Sequence, residues 1–480
     1  MMWVPSALIS LLAGFYASLA TVLDRLGVIS RDRLTSTVEL AWPRVITGFA
    51  IMSKQTADIA MVGWVLGPTA VAGLAFANAY WMVGKFISIG LAGGTVALVS
   101  QNYGGGESER ASVVVKQSLW VAVMLAVPLV LAFWFFPTQL IGLIGGDSDA
   151  IAFGALYLAL VAPALFFEFL NMIASRTYAG VGDTFTPMVI RAGGAVLNIV
   201  LSAVLIFGYG MGVAGAAIGT TVSIAAIFVV LFWGMTGRSY FGRGASPVPV
   251  TLSGPQFDRQ LTAQLLKIST PLMARRAAEG VVLFPLLAIA AVFGPVVVAA
   301  VEVGRRVRDL VNSFSWGFSI ASSTLVGQRL GAGDEVDAAA YGREIIQLSF
   351  VVYLVVAAVV FLLAEPISRI FVDDPAHVTQ TTIFVQIAAV SVIALGVDGS
   401  ATGALRGAGD TTVPFVATLV GLYLIALPIA ATGTVTQLGV AALYIAFLAE
   451  TAVPMVINLW RFNSDRWKEV SRSYRPAVDD

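Results

Sequence analysis

Ionisable side chains embedded in long apolar runs are the residues of this chain best placed to do chemistry. Asp58 lies in "KQTADIAMVG", with Lys54 four residues earlier on the same helical face. Later runs carry Glu168 in "LFFEFLN", then Glu279, Asp398 and the charge-dense "EVGRRVRD" from Glu302 to Asp309. Lys85 and Glu450 are embedded in the same way and suggest no separate role. A charge inside hydrocarbon is costly and usually faces a partner or a watery path, so each is a site hypothesis. A buried carboxylate can exchange protons near neutral pH, or release its proton in favour of sodium. Structural alternatives stand beside these readings. Asp58 can be the plain partner of Lys54, and the Glu302–Asp309 stretch can be a mutually neutralised network that stiffens its surroundings. The sharper reading of that stretch has Glu302 and Asp309 facing a central cleft as a cation or substrate site.

Other chemistries are poorly supplied. The glycines, acid and hydroxyls of "AGVGDTFTP" (179–187) suit a phosphate cradle, a metal loop or a plain turn. The chain has no cysteine, which removes disulfides, thiol catalysis and iron–sulfur or cysteine-type zinc sites. Its one histidine, His377, sits in the polar "VDDPAHV" and reads as a loop residue. An enzyme acting on lipids would need a Ser/His, His/Asp or metal constellation that these residues do not offer. No catalytic residue and no cofactor are expected. The formal net charge is zero, so nothing indicates nucleic acid as a partner.

The elements that would position these side chains are membrane helices. Of 480 residues, 58% are hydrophobic and 12% charged, and mean hydropathy is +0.87. A soluble domain is nearer half apolar and a quarter charged, so the solvent for this surface is lipid. Thirteen apolar stretches of about 20 residues can be laid on the chain, long enough to cross the hydrocarbon core as helices. The first is Trp3–Leu23; it lacks the basic start of a signal peptide and reads as a retained span. Twelve more begin near Trp42, Val71, Lys116, Ala150, Pro187, Gly212, Pro271, Val297, Ile345, Thr381, Val413 and Gly439. Arg and Lys gather in alternate loops, including Arg110, Arg329, Arg343 and the tail, which puts those loops and the C-terminus in the cytoplasm.

The chain also repeats itself. "LVSQNYGGGE" (98–107) returns as "LVGQRLGAGD" (325–334), and "GDTFTP" (182–187) as "GDTTVP" (409–414), both 227 residues on. "LGPTAVA" and "FGPVVVA" keep the same offset. Six spans per copy give both copies one orientation, as in transporters whose parallel repeats are related by an axis along the membrane normal. The expected organisation is therefore an all-α membrane protein of twelve core helices in two six-helix lobes with a pseudo-twofold axis, plus the extra N-terminal span. Expected boundaries are 1–37 for that span and its connector, 38–236 for the N-lobe, 237–268 for a cytoplasmic linker, 269–462 for the C-lobe and 463–480 for a tail. In this frame "AGVGDTFTP" is a capping turn between two spans.

"ADIAMVG", "LVSQNYGGGESERA", "SRTYAGVGDTFTPM", "NIVLSAVLIFGYGMGVAGAAIGTTVS", "LVGQRLGAGD" and "LRGAGDTTVPF" together resemble the multidrug and toxic compound extrusion (MATE) family, from about Leu40 to Arg461. The resemblance implies a two-lobed secondary antiporter in the plasma membrane, working as a monomer and exporting cationic, lipophilic compounds against proton or sodium entry. It matches Asp58 to the carboxylate of an N-lobe ion site, with Asn198, Thr220 and Tyr157 beside it; Asp58, Asn198 and Thr220 would hold sodium. Where the family pattern has a second aspartate this chain has Ser202, and Glu168 is the candidate substitute. In the C-lobe Glu279 resembles the glutamate of a sodium-coupled branch, and Asp398 lies one turn from that branch's aspartate, a rival ion site. Cleft-lining aromatics among Phe76, Tyr80, Trp81, Phe86 and Trp316 can hold a lipophilic cation. The alternative function is a flippase for lipid-linked precursors or polysaccharide, which a strongly basic central cavity would favour.

Overall fold

The computed structural model describes residues 17–18, 20–145, 147–239, 246–251, 254–372 and 374–474. The leading span expected over Trp3–Leu23 lies largely outside these residues; its described end, Ala20 and Leu23, packs against Ile29 and Leu34. Among the described residues there is helix and loop and no strand. Twelve long helices follow: α1 (Arg31–Leu66), α2 (Pro68–Gly104), α3 (Ser108–Phe135), α4 (Ser148–Gly180), α5 (Phe185–Gly208), α6 (Gly212–Met235), α7 (Arg259–Val281, continued by Leu283–Val292), α8 (Pro295–Gly331), α9 (Glu335–Leu362), α10 (Pro375–Gly407), α11 (Thr412–Thr432) and α12 (Ala441–Asn463). Nine of them are long and apolar enough to cross a membrane; α1, α7 and α8 are the others. Those three carry Lys54 and Asp58, Arg275 to Glu279, and Glu302 to Asp309, so their charge, not their length, sets them apart.

The repeat is visible in where helices stop and start. Gly67 and Gly294 take positive φ (77° and 98°) and are followed by Pro68 and Pro295 at the first helical position, so each "GP" ends one helix and opens the next. The ends Gly104 and Gly331, Phe135 and Leu362, and Gly180 and Gly407 keep the same 227-residue spacing. The buried core divides accordingly. One cluster is drawn mainly from α2 to α6 with the start of α7, and the others from the end of α7 through α12 with the start of α1.

Helices run through two of the expected boundaries. α1 starts at Arg31, well before Trp42, because its polar first turns dock on α9: Arg33 bonds Asp337 at 2.9 Å and pairs with Glu344, and the Ser30 amide donates to Glu344 at 2.9 Å. α7 starts at Arg259, inside the linker, where the Asp258 carboxylate accepts from the Gln260 and Leu261 amides and caps the helix. After α12, a short helix (Arg466–Arg472) folds back, with Trp467 buried and its indole donating to the Phe462 carbonyl at 2.8 Å. In "AGVGDTFTP" the Asp183 carboxylate accepts from the Thr186 amide at 2.9 Å, as a helix cap does.

Candidate functional site

Two polar clusters lie inside the two halves. In the first half, α1 brings Asp58, α4 Tyr157, α5 Asn198 and Ser202, and α6 Thr220 to one place. Asn198 and Ser202, four residues apart, share a face of α5, and Gly219 lets α6 approach it: a Cβ there would lie 2.6 Å from Ser202 Oγ and 3.0 Å from its amide nitrogen. The Asn198 amide donates to Thr220 Oγ1 at 3.1 Å, and the Thr220 hydroxyl to Asp58 Oδ2 at 3.2 Å. Ser202 Oγ is 3.5 Å from the Asn198 amide. Asp58 Oδ1 and Asn198 Oδ1 are buried and meet no donor. Asp58 borders a cavity of about 40 Å³, lined also by Lys54, Asn78, Trp81, Tyr157 and Thr220. That volume admits a few waters or a small ion stripped of most of its hydration shell, since one water needs at least about 10–15 Å³ on this measure. Carboxylate, amide and hydroxyl oxygens are hard donors, and two of them lack partners, so the residues present fit a hard cation.

Lys54 borders the same cavity, but no ion pair joins it to Asp58 among the described residues. Glu168 stands apart from the cluster. Its carboxylate is 3.3 Å from Arg191 Nη1, both side chains are buried, and Arg191 Nε donates to Ser175 at 3.0 Å. The structure thus gives Glu168 an arginine from α5 rather than a place beside Asp58.

The second half is built the opposite way. Arg275 donates to Glu279 at 3.0 Å, to Asp398 at 2.9 Å and to Thr402 at 3.1 Å. Arg276 reaches the other Glu279 oxygen at 2.7 Å, and Asn458 the other Asp398 oxygen at 2.7 Å. On α12, Glu450 is held by Arg305 at 2.9 Å and Arg308 at 2.8 Å, both lying over the Phe447 ring. The arginines of "EVGRRVRD" therefore find their acid on another helix. Glu302 and Asp309 make no ion pair among the described residues, and Asp309 is exposed beside Arg308.

The halves meet at the end that carries the repeated Gly-rich turns. The Gln101 side chain donates to the Gly407 carbonyl at 2.7 Å, and Gln328 donates to Gly180 at 2.9 Å. Gln101 and Gln328 are repeat mates, as are Gly180 and Gly407, so one bond is made twice about the pseudo-twofold axis. Gly104 and Gly331 lie against the backbone of the opposite glutamine, where a Cβ has no room. Sequence reasoning missed this clasp, although its signal was present in the motifs that repeat most strongly.

Comparison with known proteins agrees with the fold. A family model described as MatE matches residues 43–204 and again 271–432. The probable multidrug resistance protein NorM of Thermotoga maritima is 26% identical over 454 residues, 92% of this chain and 95% of that one. The multidrug resistance protein PmpM of Pseudomonas aeruginosa is 26% identical over 408 residues, 84% of each chain. A structure described as the outward-facing conformation of a multidrug resistance MATE family transporter superposes with TM-score 0.82 at 20% identity, covering 91% of this chain and 96% of that one.

Proposed function

From the premise that the chain belongs to the MatE family of efflux transporters, we propose that it is a secondary antiporter that exports small organic molecules, with Asp58 as the carboxylate that takes the coupling proton or sodium. The observation that carries this reading is the state of the carboxylates. Asp58 Oδ1 is buried beside an ion-sized cavity and meets no donor, whereas Glu279, Asp398 and Glu450 are each locked by arginine. A carboxylate already neutralised by arginine has little to gain from an ion; an under-coordinated one has much.

The helices supply a route from that ion to the rest of the molecule. α1 carries Asp58 and packs along α8: Gly48 lies against Ser313 and Trp316, and Gly317 against Ala41. α8 in turn ends in Gln328, one arm of the clasp. Neutralising Asp58 changes its bond to Thr220, lets α1 move relative to α5 and α6, and biases the clasp through α8. All the inter-half hydrogen bonds described above sit at the clasp end, so the cleft opens at the other, as in an outward-facing conformation. The helix ends at the clasp carry Arg110, Arg329 and Arg343, which supports a cytoplasmic clasp and C-terminus in the plasma membrane. A single chain contains both halves, and the reading needs no partner subunit.

The test is transport in proteoliposomes under an imposed pH or sodium gradient. Asp58→Asn is expected to lose gradient-driven export while melting at the wild-type temperature. Undiminished export by that variant sinks the assignment. The flippase alternative turns on the sign of charge in the central cleft.

A further inference from the structure

At about 40 Å³ the Asp58 cavity is too small for an exported organic molecule. The charges outside it have a pronounced sign. Arg191 is engaged by Glu168, and Arg275 and Arg276 by Glu279 and Asp398. Arg44, Lys54, Lys85, Arg176 and Arg406 are left half-buried inside the bundle, and none makes an ion pair among the described residues.

Three of these converge on one stretch of α8 just inside the clasp. Arg44 of α1 lies over the Trp316 ring at 5.3 Å. Arg406 of α10 donates to the Ser319 carbonyl at 2.8 Å and to Ser323 Oγ at 3.2 Å. Arg176 is one turn before Ala179, whose carbonyl accepts from Thr324 at 3.1 Å and whose side chain packs on Ile320. The strongest electrostatic neighbours of Arg176 are all arginines: Arg44, Arg406, Arg191 and Arg276. Arg191, itself buried, also keeps an Nη2 with no acceptor.

Like charges in a low-dielectric site repel strongly, Glu168 is the acid nearest in effect to Arg44, and cations with no directly bonded counter-charge are held there only at a cost that a bound anion would relieve. Guanidinium groups are weakly hydrated and their forked donors match phosphate and carboxylate oxygens. An exported cation would meet the wrong sign here, and the face of Trp316 is already taken by Arg44. We propose that Arg44, Arg176 and Arg406 form an anion site at the closed end of the cleft, which takes the phosphate or carboxylate head of an exported organic anion. The proposal rests on the transporter reading above and gives it a substrate class.

The test uses the purified full-length protein and two probes with one tail and opposite heads, dodecyl phosphate and dodecyltrimethylammonium. Dodecyl phosphate is expected to bind at least about tenfold tighter, and Arg176→Gln or Arg406→Gln to weaken it about tenfold each, as loss of a charge-assisted bond does. Arg176→Lys, which keeps the charge, is expected to retain most of the affinity, and this separates loss of the site from loss of folding. Inorganic phosphate that competes as well as dodecyl phosphate identifies soluble organic phosphates as the source. Failure to compete identifies a lipid headgroup. Equal or tighter binding of the ammonium, or phosphate affinity unchanged in both glutamine variants, overturns the proposal. Asp58→Asn is expected to bind dodecyl phosphate normally. If that variant still transports while phosphate selectivity holds, the coupling assignment fails and the anion site stands.

Discussion

Three helix pairs of the two halves, α2 and α8, α3 and α9, and α4 and α10, share boundaries to the residue, yet the halves carry opposite chemistry at matched positions. Asp58, Tyr157, Asn198, Ser202 and Thr220 fall, 227 residues on, at Pro285, Phe384, Ile425, Ile429 and Phe447. Conversely Arg305, Arg308 and Glu450 match Asn78, Trp81 and Ser223. One half keeps a carboxylate loosely bonded by neutral donors; the other keeps its carboxylates clamped. On the function proposed above, the division has a use: a first half that responds to an ion needs a second half that holds its shape against it. Backbone spacing thus holds between the copies at the clasp, whereas side-chain chemistry diverges at the two polar clusters.

This contrast can be broken experimentally. Paired substitutions at the two aspartates give the largest effects. Asp58→Asn is expected to remove nearly all gradient-driven export at unchanged stability. Asp398→Asn frees one arm of Arg275 inside the bundle and is expected to cost about 3 kcal/mol of stability, the scale for breaking a buried pair. Coupling should survive in the fraction that stays folded. Melting in detergent and proteoliposome flux read the two separately, and a stable but uncoupled Asp398→Asn would reverse the roles of the halves.

A smaller effect sharpens the comparison at Gly219, whose repeat mate is Ala446. Gly219→Ala drives a methyl into Ser202, so about 1–3 kcal/mol is lost to overpacking and coupling falls as Thr220 is displaced. Ala446→Gly adds only backbone freedom, costs about 1 kcal/mol and leaves coupling intact. Equal effects of the two on coupling would remove the special status of the first half.

The smallest expected effect is at the clasp. Gln101→Ala and Gln328→Ala each delete one inter-half bond, worth about 1 kcal/mol, and shift the conformational equilibrium towards opening at that end by similar amounts. Gln101 also meets Ser471 of the terminal helix at 3.4 Å, so its variant is expected to open slightly more. The chain has no cysteine, so spin-label pairs can be introduced across the clasp without a depleted background. Inter-label distances unchanged in both variants would show that the clasp does not hold the closed state.

Much of the architecture was legible in advance because hydropathy and punctuation are local signals. Apolar length marks helices, and Gly-Pro or Gly-Asp pairs mark their ends wherever the chain is placed. The starts of α1 and α7 were not legible, since Arg31–Leu40 and Arg259–Lys267 are polar and are held as helix by an ion pair to α9 and by an aspartate cap. Within the site, the short spacing of Asn198 and Ser202 is readable from helical periodicity, but their distance to Asp58 is not. Glu168 shows the limit clearly: from sequence it is one acid in an apolar span, equally suited to an ion site or a pair. Only the packing of α5 on α4 sets Arg191 against it.

By itself, then, the sequence determined that this is a helical membrane protein, that its helices repeat at an offset of 227 residues, and which few side chains must be reconciled with hydrocarbon. The tertiary structure decided how each was reconciled: Glu450, Asp398 and Glu168 by arginine, Asp58 by a hydroxyl beside a small polar cavity, and Arg176 by no ion pair among the described residues. The reason is physical. Burial cost is a property of a residue, whereas its compensation depends on partners up to hundreds of residues away, and those meet only when the helices pack.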